Sequence, residues 1–394
     1  MNDQITVQVC RTVEEVQKIR PIWTSFKCHP NSHIDFYLTV IKSLQGILRP
    51  HVLILHRDGI PDAMLVGRLE RKNVEFRVGY KSFFQSPARS LTFIYGGFIG
   101  NASADNAECS VRAIMQSLRD GEADVAFFNH LRIGTPLYEL TTQFPGFLSR
   151  DHFQAPQAHR SMRLPTSKAQ FEAAVSARFR RHDRYYYKKL VLDHAGDVQV
   201  RHFSGTHELN RVINDVDNIA RKTYQRGLGA GFAANNEMRG RLKVEAENGW
   251  LQTFILYVRG EPCAFWMCNL CGGQLYSGFM GYDPAFAEYS PGLLLITRAI
   301  DELTSQNSDQ RIEQIDWGLG DAEYKTRLST ENWEEASVYI FAPTAKAIVL
   351  NLLHGGGAAI DGAAKKILAK TALVAKIKKS WRERLRPVAR AEAS

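Results

Sequence analysis

Residues 281–303 read GYDPAFAEYSPGLLLITRAIDEL. A strand-like segment closes at Gly281-Tyr282-Asp283-Pro284, and Ser290-Pro291-Gly292 opens an apolar run with helical spacing. Ser290 suits an N-cap, whose side chain accepts from the amides beyond it. Pro291 suits the first helical position, where its missing N–H loses nothing. The glycine that follows costs helix stability relative to alanine, so it calls for a reason. Without a Cβ it lets another molecule reach the backbone, and a helix N-terminus with free amides and a positive dipole end attracts phosphate. Ser290, Pro291, Gly292, Leu293 and Leu294 therefore form a candidate phosphate cradle. An ordinary helix start reads the same way, so the rest of the chain has to decide.

The surrounding sequence occurs twice in outline. Residues 54–63, ILHRDGIPDA, and 255–264, ILYVRGEPCA, share the pattern Ile-Leu-x-x-x-Gly-x-Pro-x-Ala, which reads as strand, tight turn and strand. YGGFIG at 95–100 and YSGFMG at 276–281 follow in the same order, each ahead of a helix-like segment. This argues for a duplicated unit. Matching Ala-Glu-Cys-Ser (107–110) to Ala-Glu-Tyr-Ser (287–290) sets Val111 opposite Pro291 and Arg112 opposite Gly292. Only the second copy has the Pro-Gly start; if that start binds phosphate, the second copy is the working one and the first is structural or holds the other substrate.

In the second copy helices are expected at about 169–194 and 207–222, strands near 251–258, 263–270 and 274–281, and a helix at 291–304. A strand ending at Gly318, a short helix over 321–328 and a last strand at 337–341 follow. Antiparallel strands beside one reached by a helical crossover give a mixed α/β (α+β) sheet with helices on its faces. The expected domains are 1–165, 166–345 and a tail, 346–394.

The chain's 394 residues allow two domains, and the ordinary apolar and charged fractions, 44% and 23%, allow a full core. The opening MNDQITVQVCRTVEEVQ is polar, no run of about 18 apolar residues occurs, and six scattered cysteines fit a reducing compartment. The expected location is cytoplasmic. Of the net charge of +9, +8 lies in residues 345–394 (eleven Lys/Arg against three acids), which leaves the body at about +1. A body so nearly neutral makes a poor general nucleic-acid binder.

The stretches RKTYQRGLGAGF (221–232), LYVRGEPCAF (256–265), GYDPAFAEYSPGLLL (281–295) and IDWGLGDAEYK (315–325) together make the second unit resemble the CelD-type (BioF-like) acetyltransferases of the GNAT superfamily. The tandem arrangement is similar to that of the FemABX transferases. The resemblance implies two GNAT-like units, the first degenerate. It also implies that an acyl-CoA, acetyl-CoA first, binds by its pyrophosphate at the helix start containing Gly292. The family's general loop there is Arg/Gln-x-x-Gly-x-Gly/Ala; this chain has one glycine and Glu288 in place of the leading Arg or Gln. The implied acceptor is an amino group on a sugar or on a cell-envelope or exopolysaccharide precursor. The alternatives are a FemABX-like transfer from aminoacyl-tRNA and a non-catalytic scaffold at the membrane surface.

In such a transfer an amine attacks a thioester, so a group must take the amine's proton and another must protonate the thiolate. The family position of the thiolate's proton donor falls on Tyr324, which also reads as a packed tyrosine. Asp316 and Asp321 flank the end of the same strand and are candidate bases, Asp321 also a candidate N-cap. Lys325 could meet an anionic acceptor, and Asp283 reads chiefly as a turn residue before Pro284. Tyr224, Gln225 and Arg226 lead a glycine-rich stretch that is either a loop over the acceptor or a linker. Arg178 and Arg181, in the basic and tyrosine-rich stretch 177–190, are candidates for an anionic acceptor, with a solvated helix face as the plain reading. Cys268 and Cys271 have metal spacing but no second pair, and His152, His159 and His182 show no ligand spacing, so no metal is expected.

In the tail Ile367, Val374, Ile377, Trp381 and Leu385 fall on one helical face with basic residues largely elsewhere. A basic amphipathic helix of this kind fits peripheral contact with the inner face of a membrane.

Overall fold

A computed structural model of the protein describes residues 4–356, apart from 79–80, 224–225, 227–230 and 306–311. The first stretch of chain forms β1 (Ile5–Cys10), α1 (Val13–Lys18), α2 (Arg20–Ser25), α3 (Ile34–Ser43), β2 (Ile47–Arg57), β3 (Ile60–Val78) and β4 (Lys81–Gly100). Then come α4 (Ala104–Arg119), β5 (Val125–Arg132), α5 (Pro136–Gln143), β6 (Gln157–Arg163), α6 (Lys168–Ala174), α7 (Ala177–Asp193), β7 (Val198–Phe203) and α8 (Leu209–Ala220). The rest is α9 (Asn236–Glu247), β8 (Leu251–Val258), β9 (Glu261–Cys271), β10 (Gln274–Tyr282), a 3₁₀ turn Pro284–Tyr289, α10 (Pro291–Ser305), β11 (Gln314–Leu319), α11 (Glu323–Leu328) and β12 (Glu331–Phe341). A helix, α12, covers 345–356.

The chain divides into two compact units. One runs to Ala158 and resumes at Trp333; the other is His159–Asn332. The strand at 337–341 was expected to close the second unit. Instead the first unit's sheet is ordered β1-β2-β3-β4-β5-β12, and the second's β7-β8-β9-β10-β11-β6. The strand at 337–341 thus lies on β5, with Tyr339 opposite Phe127 and Phe341 opposite Val125. The expected tail boundary at 345/346 falls at the head of α12, whose Ala347 and Leu350 are buried in the first unit's core.

Strand alternation explains why helices cover both faces of each sheet. In the first unit Leu53 and Leu65 point to α4, while Val52, Ile54, Met64 and Val66 point to α1, α2 and α3. In the second, Phe254, Leu256 and Trp266 meet α6, α7 and α10, while Ile255, Tyr257, Phe265 and Met267 meet α8 and α9. All eight residues of β8 are buried, as a strand covered on both faces requires. The repeated motif is the same hairpin in both units. Asp58-Gly59 (φ +51° and +80°) and Arg259-Gly260 (φ +52° and +77°) both take the left-handed pair that a two-residue hairpin turn needs.

Candidate active site

In the second unit β10 and β11 are parallel neighbours at only three positions, Gln274–Gln314, Leu275–Ile315 and Tyr276–Asp316. Beyond them β10 continues to Tyr282 against β9, with a bulge between Ser277 and Met280, and β11 continues to Leu319 against β6. The two strands part at Asp316, and their facing edges past it have no ladder partner among the described residues. A bulge re-aims backbone groups out of the sheet, so the mouth of this gap is lined by main-chain donors and acceptors.

The chain leaves β10 through Asp283, whose carboxylate accepts from Ala285 N–H at 3.0 Å and from Lys222 Nζ at 2.7 Å. It is the turn residue the sequence suggested. The 3₁₀ turn ends at Ser290, which adopts a left-handed conformation (φ +53°, ψ +48°) and not the extended one of an N-cap. Its carbonyl receives the Leu293 and Leu294 amides at 3.1 and 3.2 Å. Gly292 lies in the first turn, which leaves its amide outside the intrahelical ladder. A Cβ at Gly292 would meet only Tyr282 Cδ1, at 3.7 Å, and the φ of Gly292 is not left-handed. Neither packing nor backbone geometry requires glycine here; the space opens outward.

At the other side of the gap the end of β11 gathers several ionisable groups. Asp316 Oδ1 bonds His159 Nε2 at 2.7 Å and accepts the Gly318 N–H at 2.7 Å. His159 and Asp316 are 1% and 7% exposed, so water does not compete for their hydrogen bond. His159 arrives on β6, which lies against β11 with Ser161 opposite Asp316. Lys325, on α11, donates to the Leu319 carbonyl at 2.6 Å. Burial and the charge of Arg160 pull its ammonium below its ordinary range, against the opposing pull of Asp316 and Asp321. Asp321 receives both Arg160 Nε and Nη2, at 3.0 and 2.7 Å, and the residue at the N-cap of α11 is Ala322, with no side-chain cap bond. Tyr324 is half-buried, its ring edge-on to Trp317 at 5.9 Å. Trp317, the first residue of β11 past the last parallel pair, is buried and stacked on Trp266 at 5.5 Å. Its indole N–H finds no acceptor among the described residues, an exception that a buried donor seldom shows without a ligand or water.

The structure therefore brings Asp316, Asp321, Tyr324 and Lys325 to one end of β11 and sets Ser290–Leu294 at the head of the helix that crosses over to it. Arg178 and Arg181 lie elsewhere, exposed on α7. The C-terminal part of that helix meets the 3₁₀ turn through Lys189 and Glu288 at 2.8 Å, and Arg181 is eight residues back, roughly 12 Å along the axis. Arg226 donates to the Phe232 carbonyl and approaches Asp217 at 3.6 Å. Tyr224 and Gln225 lie outside the described residues. Cys268 and Cys271 are three apart on one strand and so face opposite sides of the sheet. Among the described residues no cluster of metal-ligand side chains occurs. His159 and Trp317 are the site residues that sequence reasoning missed. His159 stands 157 positions from its partner, and only the pairing of β6 with β11 unites them.

Residues 177–326 match the family model of the acetyltransferase (GNAT) domain. A crystal structure of FemX superposes with a TM-score of 0.53 at 10% identity, over 83% of this chain and 96% of that one. The C-terminal domain (DUF2156) of a putative lysylphosphatidylglycerol synthetase from Agrobacterium fabrum gives 0.49 at 10% identity, over 86% and 94%. A tandem GNAT protein from the clavulanic acid biosynthesis pathway gives 0.49 at 8% identity, over 87% and 100%. No curated protein sequence matches the chain. At such identity the FemX likeness is one of fold.

Proposed function

We propose that this chain, an acyltransferase whose residues 177–326 form a GNAT domain, transfers an acyl group from an acyl-CoA, acetyl-CoA first, to an amino group on a sugar or cell-envelope precursor. The observation that carries the donor is the parting of β10 and β11 at Asp316, with a glycine in the first turn of the crossover helix. Two features suit a ligand in that gap, the open space at Gly292 and the orphaned Trp317 N–H. Phosphate oxygens would meet the Gly292 amide and the positive end of α10. The acceptor class rests on the resemblance to CelD-type proteins.

In the reaction a C–N bond forms and the acyl C–S bond breaks. The attacking amine loses a proton and the departing sulfur gains one. Asp316, hydrogen-bonded to His159 Nε2 at the end of β11, is the carboxylate that takes up the amine's proton through water. Tyr324 supplies the proton to sulfur. Lys325, beside the end of β11, is the cation that draws an anionic acceptor.

Calorimetric titration of the whole protein with acetyl-CoA and, separately, with an aminoacyl-tRNA tests this reading. Saturable acetyl-CoA binding supports it. Binding of aminoacyl-tRNA alone assigns a FemABX-like transfer instead, and binding of neither leaves a scaffold.

A further inference from the structure

The first unit carries an apolar surface that its own core does not use. Phe147, Leu148 and Phe153, from the loop after α5, and Leu352, from α12, line a groove of about 200 Å³ together with Ile348, Asn351, Gly355 and Gly356. Phe147 is 73% exposed and Leu352 67%, and Val349 and Leu353 on the same helix are exposed as well. The groove is firmly held. Asn351 Nδ2 donates to the carbonyls of Leu148 and Arg150, at 3.0 and 2.8 Å, which ties helix to loop. Gly355 lies so close to Phe153 that a Cβ there would stand 3.0 Å from its ring. Large apolar side chains grouped on a surface in this way mark a contact with another phase or partner.

Two facts indicate what meets it. The chain leaves the groove at its own rim, since Gly355 and Gly356 line it, and the 38 residues beyond carry ten Lys/Arg against three acids. No acidic residue lines the groove, and Asp151, within the loop, is buried and accepts from the Phe153 and Tyr339 amides. A basic segment finds no carboxylates here to settle on. An anionic lipid surface answers both features, with apolar depth for the aromatic and aliphatic side chains and phosphate charge for the lysines and arginines.

We propose that the groove bounded by Phe147, Leu148, Phe153 and Leu352 is a membrane-docking face, which enters the headgroup level of an anionic bilayer beside the basic C-terminal segment. The inference stands apart from the transfer chemistry, because none of these residues belongs to the second unit.

Co-sedimentation of the full chain with vesicles tests it. The protein sediments with phosphatidylcholine vesicles containing phosphatidylglycerol, more weakly as salt is raised, and far less with pure phosphatidylcholine. Phe147→Ser with Leu352→Ser lowers the apparent affinity by about tenfold or more, the order expected when two large side chains no longer enter the interface. Lys376→Gln with Lys378→Gln and Lys379→Gln lowers it by a similar factor. Unchanged binding of the Phe147/Leu352 variant overturns the proposal, whether the charges then act alone or the C-terminal segment itself covers the groove. Equal binding to neutral vesicles, or none to either kind, also overturns it. Should that variant melt early, Leu148→Ser carries the same expectation.

Discussion

Replacing Gly292 separates stability from binding, because the structure assigns the two effects opposite signs. Gly292 opens the first turn of α10 with an ordinary φ, and the atom nearest a new Cβ is Tyr282 Cδ1 at 3.7 Å, a normal contact. Gly292→Ala therefore introduces no clash. It restricts the unfolded chain and should stabilise the protein by about 0.4–1 kcal/mol. The same methyl group stands where phosphate oxygens would approach the Gly292 amide. Gly292→Ala should then weaken acetyl-CoA binding several-fold, and the bulkier Gly292→Val by about tenfold or more, roughly 1.4 kcal/mol. Arg112→Ala in the first unit is the control. Arg112 lies within α4, paired to Glu108 at 2.6 Å and set over the Phe144 ring, so its loss should cost a few tenths of a kcal/mol and leave donor binding unchanged. Calorimetry with acetyl-CoA and thermal melting of the same samples decide the matter. A Gly292→Val protein with raised stability and undiminished acetyl-CoA affinity would refute the cradle, since the glycine would then serve neither fold nor ligand.

The other expectations concern the proton path and the acid limit of the fold. Tyr324→Phe should lower kcat about 10²-fold or more with acetyl-CoA affinity nearly intact; normal turnover would leave Tyr324 as the packing partner of Trp317. Asp316→Asn should lower kcat by a similar factor with acetyl-CoA affinity nearly intact, because it removes the candidate base; normal turnover counts against that role. In the first unit burial pushes the Glu122 carboxyl up, but bonds from Arg11, Ser117 and Arg49 outweigh it and bring it down to about 2. Its folded value lies below its unfolded one, so it contributes stability above about pH 4.5 that is lost as pH falls toward 2. Glu122→Gln should cost about 2–3 kcal/mol at neutral pH and flatten the acid side of a urea-midpoint profile; a profile as steep as the wild type's would show that other carboxylates govern acid unfolding.

Local features of this fold were legible wherever one residue fixes the backbone. Gly59 and Gly260 announce the two hairpins because their turns demand left-handed residues, and Gly272-Gly273 (φ +59° and +81°) likewise closes the hairpin after Cys271. Pro291 marks the start of α10 to the residue. What the sequence hid is tertiary. The strand β7, Val198–Phe203, lies at the sheet edge with a mixed burial pattern that gives little alternation to read. The partner of β12 cannot be inferred from its own residues, since Tyr339 and Phe341 would suit either sheet. His159 was passed over for the same reason. Its chemistry depends on Asp316, and nothing in QAHRSMR points to a carboxylate far along the chain.

The same comparison explains how duplicated units come to differ at one helix start. Sequence matching sets Ala107–Ser110 against Ala287–Ser290, but the chain treats the two segments differently. In the first unit they lie inside α4, which begins soon after β4, with Ser103 Oγ accepting the Asn106 amide at 3.3 Å. Ser110 is buried in mid-helix and donates to the Asn106 carbonyl at 2.8 Å. In the second unit the corresponding residues form the 3₁₀ turn, which Ser290 ends in a left-handed conformation. Pro291 has no N–H with which to continue a ladder onto Ala287, so the helix starts afresh there. This delay sets the new first turn beside Tyr282, at the end of β10, and it is there that the chain has a glycine. Val111 and Arg112 at the matched positions permit an unbroken helix, closed at its head by its own serine, with the arginine spent on Glu108. One proline and one glycine thus convert a self-capped helix into one that offers its N-terminus outward, which is why the donor site proposed above is placed in the second unit.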